Sequence, residues 1–86
     1  MSLTIEISEL AQTDLANIWN YTAQNWSTKQ ADKYYNEIIT QIQTICVNPQ
    51  IGRSISHIKK HHRKINVATH MIIYKLVEEK ISIDRL

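Results

Sequence analysis

The sequence predicts a two-layer α+β domain in the order β-α-α-β-β-β, a helical hairpin packed on a small antiparallel-meander sheet. Three observations point there. Apolar residues alternate with polar ones at Leu3, Ile5 and Ile7, recur at spacings of three and four up to Cys46, and return to strand-like runs from His61. A single short break, at Asn25-Trp26, divides the helical stretch into two antiparallel helices. One Gly and one Pro in 86 residues exclude loop-dominated, linker-like and collagen-like chains.

The first strand is β-branched and half apolar, and Ser8 follows it as an N-cap with Glu9 near the positive end of the helix dipole. Leu10, Ala11, Leu15, Ile18, Trp19, Thr22 and Ala23 form one helical stripe ending near Asn25. Ser27 with Gln30 fits a capping box, and Ala31, Tyr34, Tyr35, Ile38, Ile39, Ile42, Ile45 and Cys46 carry a second stripe. Pro49 disfavours helix in the residue before it, so this helix ends near Val47–Asn48. Residues 48–60 are irregular, with Gly52 offering a left-handed turn position. Three strands follow over residues 61–67, 70–77 and 80–86, separated by Ala68-Thr69 and Glu78-Glu79. They form a meander that the first strand must join, because a lone strand cannot satisfy its backbone groups. One sheet face covers the hairpin. The other is open and shows Lys64 and Asn66.

At 86 residues, 43% hydrophobic and 21% charged, the chain suits one globular domain spanning residues 1–86. No apolar run approaches the roughly 18 residues of a membrane span, and MSLTIEISEL resembles neither a signal nor a transit peptide. The cytoplasm is the expected location. The lone Cys46 excludes an internal disulfide and lies on an apolar stripe, as a small core residue would. Charge is uneven: residues 1–52 carry a balance of −3 and residues 53–86 one of +5, with all four His in the second part. A basic half suits an anionic partner, either nucleic acid or an acidic protein, or else is an ordinary solvated face.

Catalytic signatures are sparse. The sequence has no glycine-rich phosphate loop, no His-Glu-x-x-His helix and no Gly-x-Ser-x-Gly elbow. His57, His61 and His62 cluster, but His61 and His62 point to opposite sides of a strand and no carboxylate stands near them in sequence. The expectation is therefore no metal and no cofactor. His70 is either an acid/base group or a strand-end residue bonding a turn. Tyr74 is either a stacking surface or core. Trp19 and Trp26 read as core and hinge residues, with Trp26 the better candidate for a partner contact.

Four segments carry a resemblance to the RelE/ParE superfamily, the toxins of type II toxin–antitoxin modules. LAQTDLANIWNY at 10–21 resembles the family's first helix, and NPQIGR at 48–53 the turn after its second. Arg63 followed by HMIIYK at 70–75 is similar to its Arg…His-x-Ile-x-Tyr hairpin, and ISIDRL at 81–86 to its final strand. The resemblance implies the same β-α-α-β-β-β fold. It also implies two branches. RelE-like members cut messenger RNA on the ribosome with several cations, including an Arg three residues before the third-strand Tyr. Here Met71 takes that place and Lys64 is the one lysine on the second strand. ParE-like members poison DNA gyrase without an enzymatic reaction of their own, and His70 before Met71 and Arg63 eleven residues before Tyr74 match them.

The ParE-like reading implies a plasmid-stabilisation type of toxin bound by a cognate acidic, ParD-like antitoxin in a hetero-oligomer. Arg53, Arg63, Lys64, His70, Tyr74 and Arg85 are the residues expected to meet the target or partner, and Trp19 and Trp26 those expected to meet the antitoxin. Family members continue past the last strand with a short tail resembling Leu-His-x-Arg-Met-Asp, whereas this sequence stops at Leu86. The alternatives implied are a RelE-like ribonuclease and a tail-less module that binds antitoxin without toxicity. Arg53 follows the Gly52 turn, and Arg63 and Arg85 are expected on strands near the open face or edges; the structural alternative is an arginine that satisfies loop carbonyls or pairs with Asp84 or Glu37.

Overall fold

The computed structural model describes residues 3–86. In chain order it contains β1 (Thr4–Ile7), α1 (Glu9–Asn25), α2 (Thr28–Val47), β2 (Arg53–Ser54), β3 (His62–Val67), β4 (His70–Val77) and β5 (Lys80–Arg85). The predicted order holds, with the two-residue β2 added inside the stretch that reads as irregular.

The helix boundaries follow from their caps. Ser8 Oγ accepts from Ala11 N at 3.0 Å and donates to Asp84 O at 2.7 Å, so one hydroxyl starts α1 and ties it to β5. Ser27 Oγ accepts from Gln30 N at 3.0 Å. Each such cap stabilises by about 1 kcal/mol. Trp26 closes α1 by donating its backbone N–H to Thr22 O, and α2 ends at Val47, two residues before Pro49.

The sheet order is β1-β5-β4-β3-β2. β3, β4 and β5 form the expected antiparallel meander, and β1 joins it parallel to β5, from Thr4↔Lys80 to Ile7↔Ile83. Both hairpin turns have two residues and are entered through left-handed backbone, at Ala68 (φ 51°) and Glu78 (φ 58°). Two-residue hairpins need this geometry because it matches the strand twist. Asn or Gly ordinarily supplies it, which is why Ala68-Thr69 is so faint a turn signal.

The core lies between the helices and one sheet face. Ile38, Ile42 and Ile45 of α2 and Ala11 and Leu15 of α1 meet Val67, Ile72, Tyr74, Ile81 and Ile83. Cys46 packs at its margin, and burial pushes its thiol pKa up. Leu10, expected in the α1 stripe, is 60% exposed; Ala11 occupies the centre of the stripe instead. Because side chains alternate along strands, the neighbours of these core residues face away from the helices. That second face carries Lys64, Asn66, Met71, Ile73, Lys75 and Val77. No helix of the structure is long and apolar enough to cross a membrane.

Candidate interaction surfaces

The turn after α2 is built around Gly52. Tyr74 is fully buried, and its hydroxyl donates to Pro49 O at 2.7 Å while accepting from Gly52 N at 2.9 Å. Burial raises the Tyr74 pKa, against the opposing pull of the Gly52 N–H and the nearby Arg63 charge, so the phenol keeps its proton and can donate. Arg63 Nη1 donates to Gly52 O at 2.8 Å. Gly52 is not left-handed, contrary to the expectation from sequence. Its role is close approach: a Cβ there would lie 2.4 Å from Tyr74 Oη and 2.9 Å from Lys64 O. Tyr74 therefore belongs to the core and fixes the loop from within, so it offers no surface to a partner. Arg63 points toward the helical layer rather than the open face. Arg53, on β2, is exposed and makes no side-chain hydrogen bond or ion pair among the described residues.

A second cluster pins the loop over residues 55–61. His62 is 5% exposed, with Nδ1 2.8 Å from Lys60 O and Nε2 2.6 Å from Asp84 Oδ2. Lys59 Nζ reaches the same Asp84 oxygen at 3.2 Å. Burial alone would raise the Asp84 pKa, but the hydrogen bonds and charges of His62 and Lys59 outweigh it and hold the carboxyl below its ordinary value. No carboxylate lies near His62 along the chain. The fold supplies one from a strand that lies 22 residues further on. Among the described residues no group of His, Cys, Asp and Glu is arranged to hold a metal ion.

The end of β5 is clamped to α1. Arg85 makes a two-point contact with Asp14, Nε to Oδ2 at 2.8 Å and Nη2 to Oδ1 at 3.0 Å, and Leu86 N donates to the same carboxylate. The Arg85 hydrogen bonds lower the Asp14 pKa; burial opposes them, and the Leu86 N–H and the charges of Arg85 and His70 add to the lowering. The partner is thus Asp14, not Asp84 or Glu37, and the Arg85 side chain stays 51% exposed while it holds this contact.

Of the two predicted antitoxin residues, Trp26 stands at the bend of the helical hairpin. Trp26 is 75% and Tyr21 66% exposed. With Ser27, Gln30, Tyr34 and His70 they line a groove of about 630 Å³ between the hairpin bend and the β3–β4 turn. Tyr34 Oη donates to Val67 O at 2.9 Å and lies 2.6 Å from His70 Nδ1. One phenol has one proton, so His70 Nδ1–H is the donor in the second contact. His70 thus bonds Tyr34 of α2 across the groove, and the same nitrogen lies 3.4 Å from Thr69 Oγ1 of the adjoining turn. Trp19 stands apart, half-buried between the helices with Nε1 donating to Asp32 at 3.0 Å.

The residues singled out in the sequence do not converge on one centre. Arg63 and Tyr74 surround Gly52, Arg85 clamps α1, His70 joins Trp26 at the hairpin groove, and Lys64 stands on the open sheet face. The partners of Asp14, Tyr34, Lys59, His62 and Asp84 escape sequence reasoning because each is acquired through long-range contacts that leave no local pattern.

This arrangement has known counterparts. A profile described as the ParE toxin of the type II toxin–antitoxin system parDE matches residues 5–86. Toxin ParE1 of Mycobacterium tuberculosis (strain CDC 1551 / Oshkosh) is 33% identical over 79 residues, covering 92% of this chain and 81% of its own length. Toxin ParE1 of Caulobacter vibrioides is 29% identical over 70 residues, covering 81% of this chain and 73% of its own. A solved structure titled "Chromosomal ParDE TA system from P. aeruginosa" superposes with a TM-score of 0.83 at 15% identity, covering 98% of this chain and 92% of that one, and so shares the fold. With residues 5–86 matched by that profile, the chain belongs to the ParE toxin family of type II toxin–antitoxin systems.

Proposed function

We propose that this chain is a toxin that binds DNA gyrase directly and is neutralised by an acidic antitoxin whose C-terminal segment is disordered alone and folds on binding. The observation that carries the antitoxin half is the aromatic groove at the hairpin bend: two large exposed rings, Trp26 and Tyr21, stand beside a cleft that no element among the described residues fills. Aromatic side chains so placed are the usual energetic centres of protein interfaces, and the basic half of the chain adds attraction for an acidic partner. The ordering entropy of a disordered segment is offset by filling such a cleft.

The choice of gyrase over RNA cleavage rests on charge at the sheet. Cutting a phosphodiester needs cations preorganised around a charged transition state. Met71 stands on the open face where the RelE-like reading asks for an arginine, and Arg63 and Arg85 are engaged within the fold. Met71, Ile73 and Val77 make the outward side of the central strand largely aliphatic.

Co-expression with the acidic protein of the adjacent reading frame tests the antitoxin half. The expected result is a stable complex recovered on the tagged toxin. Trp26→Ala with Tyr21→Ala should weaken it at least tenfold, which corresponds to about 1.4 kcal/mol. Failure to recover the complex with the native chain would contradict the reading.

A further inference from the structure

We propose that the face of the sheet turned away from the helices is the surface this toxin presents to its target, and that it accepts an acidic, aliphatic patch of a folded protein. The inference rests on the toxin reading above and deepens it.

The first argument is the pattern of β4. A strand with one face on a core and one in water alternates apolar with polar. β4 does not. Ile72 and Tyr74 are buried against the helices, while Met71, Ile73 and Val77 point the other way. An apolar run on both sides is the signature of a strand covered on both faces, yet both helices lie on one side. Met71 is left 42% and Val77 46% exposed. No element among the described residues covers this face.

Charge identifies what would cover it. Lys64 lies opposite Ile73, and Lys75 is two residues further along β4. Among the described residues neither forms an ion pair, whereas Lys59, Lys80 and Arg85 all do. Of the carboxylates on this side, Asp84 is held by His62 and Lys59, and Glu6 faces Lys80. Glu78 and Glu79 sit in the β4–β5 turn beyond Val77. The centre of the face is therefore aliphatic with two uncompensated cations, and its complement is aliphatic with carboxylates.

Other occupants fit less well. Single-stranded nucleic acid is held by aromatic stacking and a track of cations. The outward residues of β3 and β4 include no aromatic ring apart from the buried His62 at the loop end, and their only lysines are Lys64 and Lys75. A second copy related by a two-fold axis would bring these lysines toward their own copies, a like-charge pairing. The antitoxin is better served by the hairpin cleft, where a segment that folds on binding can insert side chains. The sheet face is preorganised instead: its strands are cross-bonded, Arg85–Asp14 fixes one strand end, and His62–Asp84–Lys59 fixes the adjoining loop. A fixed face suits a partner surface that is already folded.

The test uses the full chain and purified DNA gyrase as probe. Lys64→Glu with Lys75→Glu, and separately Met71→Glu, are compared with the native chain for gyrase binding, for recovery of the antitoxin complex, and for thermal midpoint. The expected result is a loss of gyrase affinity of at least tenfold in both variants, with the antitoxin complex and the midpoint retained and with Lys64→Arg/Lys75→Arg close to native. Native binding should also weaken with salt more steeply than that of the charge-reversed form. Unchanged gyrase binding by the folded variants would overturn the inference and leave the toxin reading standing. Parallel loss of the antitoxin complex would also overturn it, by assigning this face to the antitoxin. A native chain that binds no gyrase would strike the proposed target first, and this face with it.

Discussion

Replacing Gly52 with Ala should cost this domain about 2–4 kcal/mol, although alanine is the smallest change available. The new methyl would stand 2.4 Å from Tyr74 Oη, 2.8 Å from Tyr74 Cε1 and 2.9 Å from Lys64 O. None of these can retreat cheaply. The Tyr74 ring is fully buried, its hydroxyl bonds Pro49 O and Gly52 N, and Lys64 O belongs to the β3 backbone. Overpacking of this kind costs about 1–3 kcal/mol, and losing a hydrogen bond adds about 1 more. In a domain of this size each kcal/mol lowers the melting temperature by about 4–8 °C, so a drop of roughly 8–32 °C is expected. Tyr74→Phe should cost less in the Gly52→Ala background than in the native chain, because the hydroxyl has already been displaced there. A double-mutant cycle by thermal melts reads that coupling. Full additivity would mean that the two residues do not share the constraint described here.

Asp84→Ala should destabilise by about 2 kcal/mol at pH 7, with a pH signature that a simple cavity would lack. The substitution removes the carboxylate that faces His62 Nε2 and Lys59 Nζ and that also lies 3.4 Å from Ser82 Oγ, leaving a buried ring nitrogen without its partner. The Asp84 pKa is lowered in the folded chain from an ordinary value of 3.8. The unfolded chain therefore binds the proton more readily, and the stabilisation is complete above the unfolded value and lost as pH falls through the folded one. The native protein should lose midpoint steadily below about pH 4, and the gap between native and Asp84→Ala should narrow over the same range. A gap that stayed constant from pH 7 to pH 3 would show that the ion pair contributes nothing beyond packing.

Most of the fold is legible in local pattern. The alternation at Leu3–Ile7, the caps Ser8 and Ser27, the two helical stripes and the meander from His61 each leave a signal within a few residues. The parallel pairing of β1 with β5 leaves none, because it joins segments at opposite ends of the chain and depends on how the helical hairpin returns. β2 is invisible for a similar reason: two residues, Arg53 and Ser54, become a strand through pairing with Lys64 and Arg63. The functional residues are harder to read. The family motif Arg63…Tyr74 is visible in the sequence, but its role is not: both residues hold the Gly52 turn. Gly52 stands out in the sequence for a property it does not use, since conformational freedom is a local inference and close approach is a tertiary one. Trp26 and Lys64 can be placed on a surface from spacing alone, because a hinge and an outward strand position are both local features.

The account turns on direct action at gyrase, and a supercoiling and DNA-cleavage assay with purified enzyme tests it most directly. The unsubstituted chain, added without antitoxin, should inhibit supercoiling and raise the amount of linear DNA in a gyrase-dependent way. The acidic antitoxin should reverse both effects. Intact supercoiling and no cleaved DNA at toxin concentrations that arrest growth, together with codon-positioned cuts in translated messenger RNA, would contradict the account and return the chain to the ribonuclease branch.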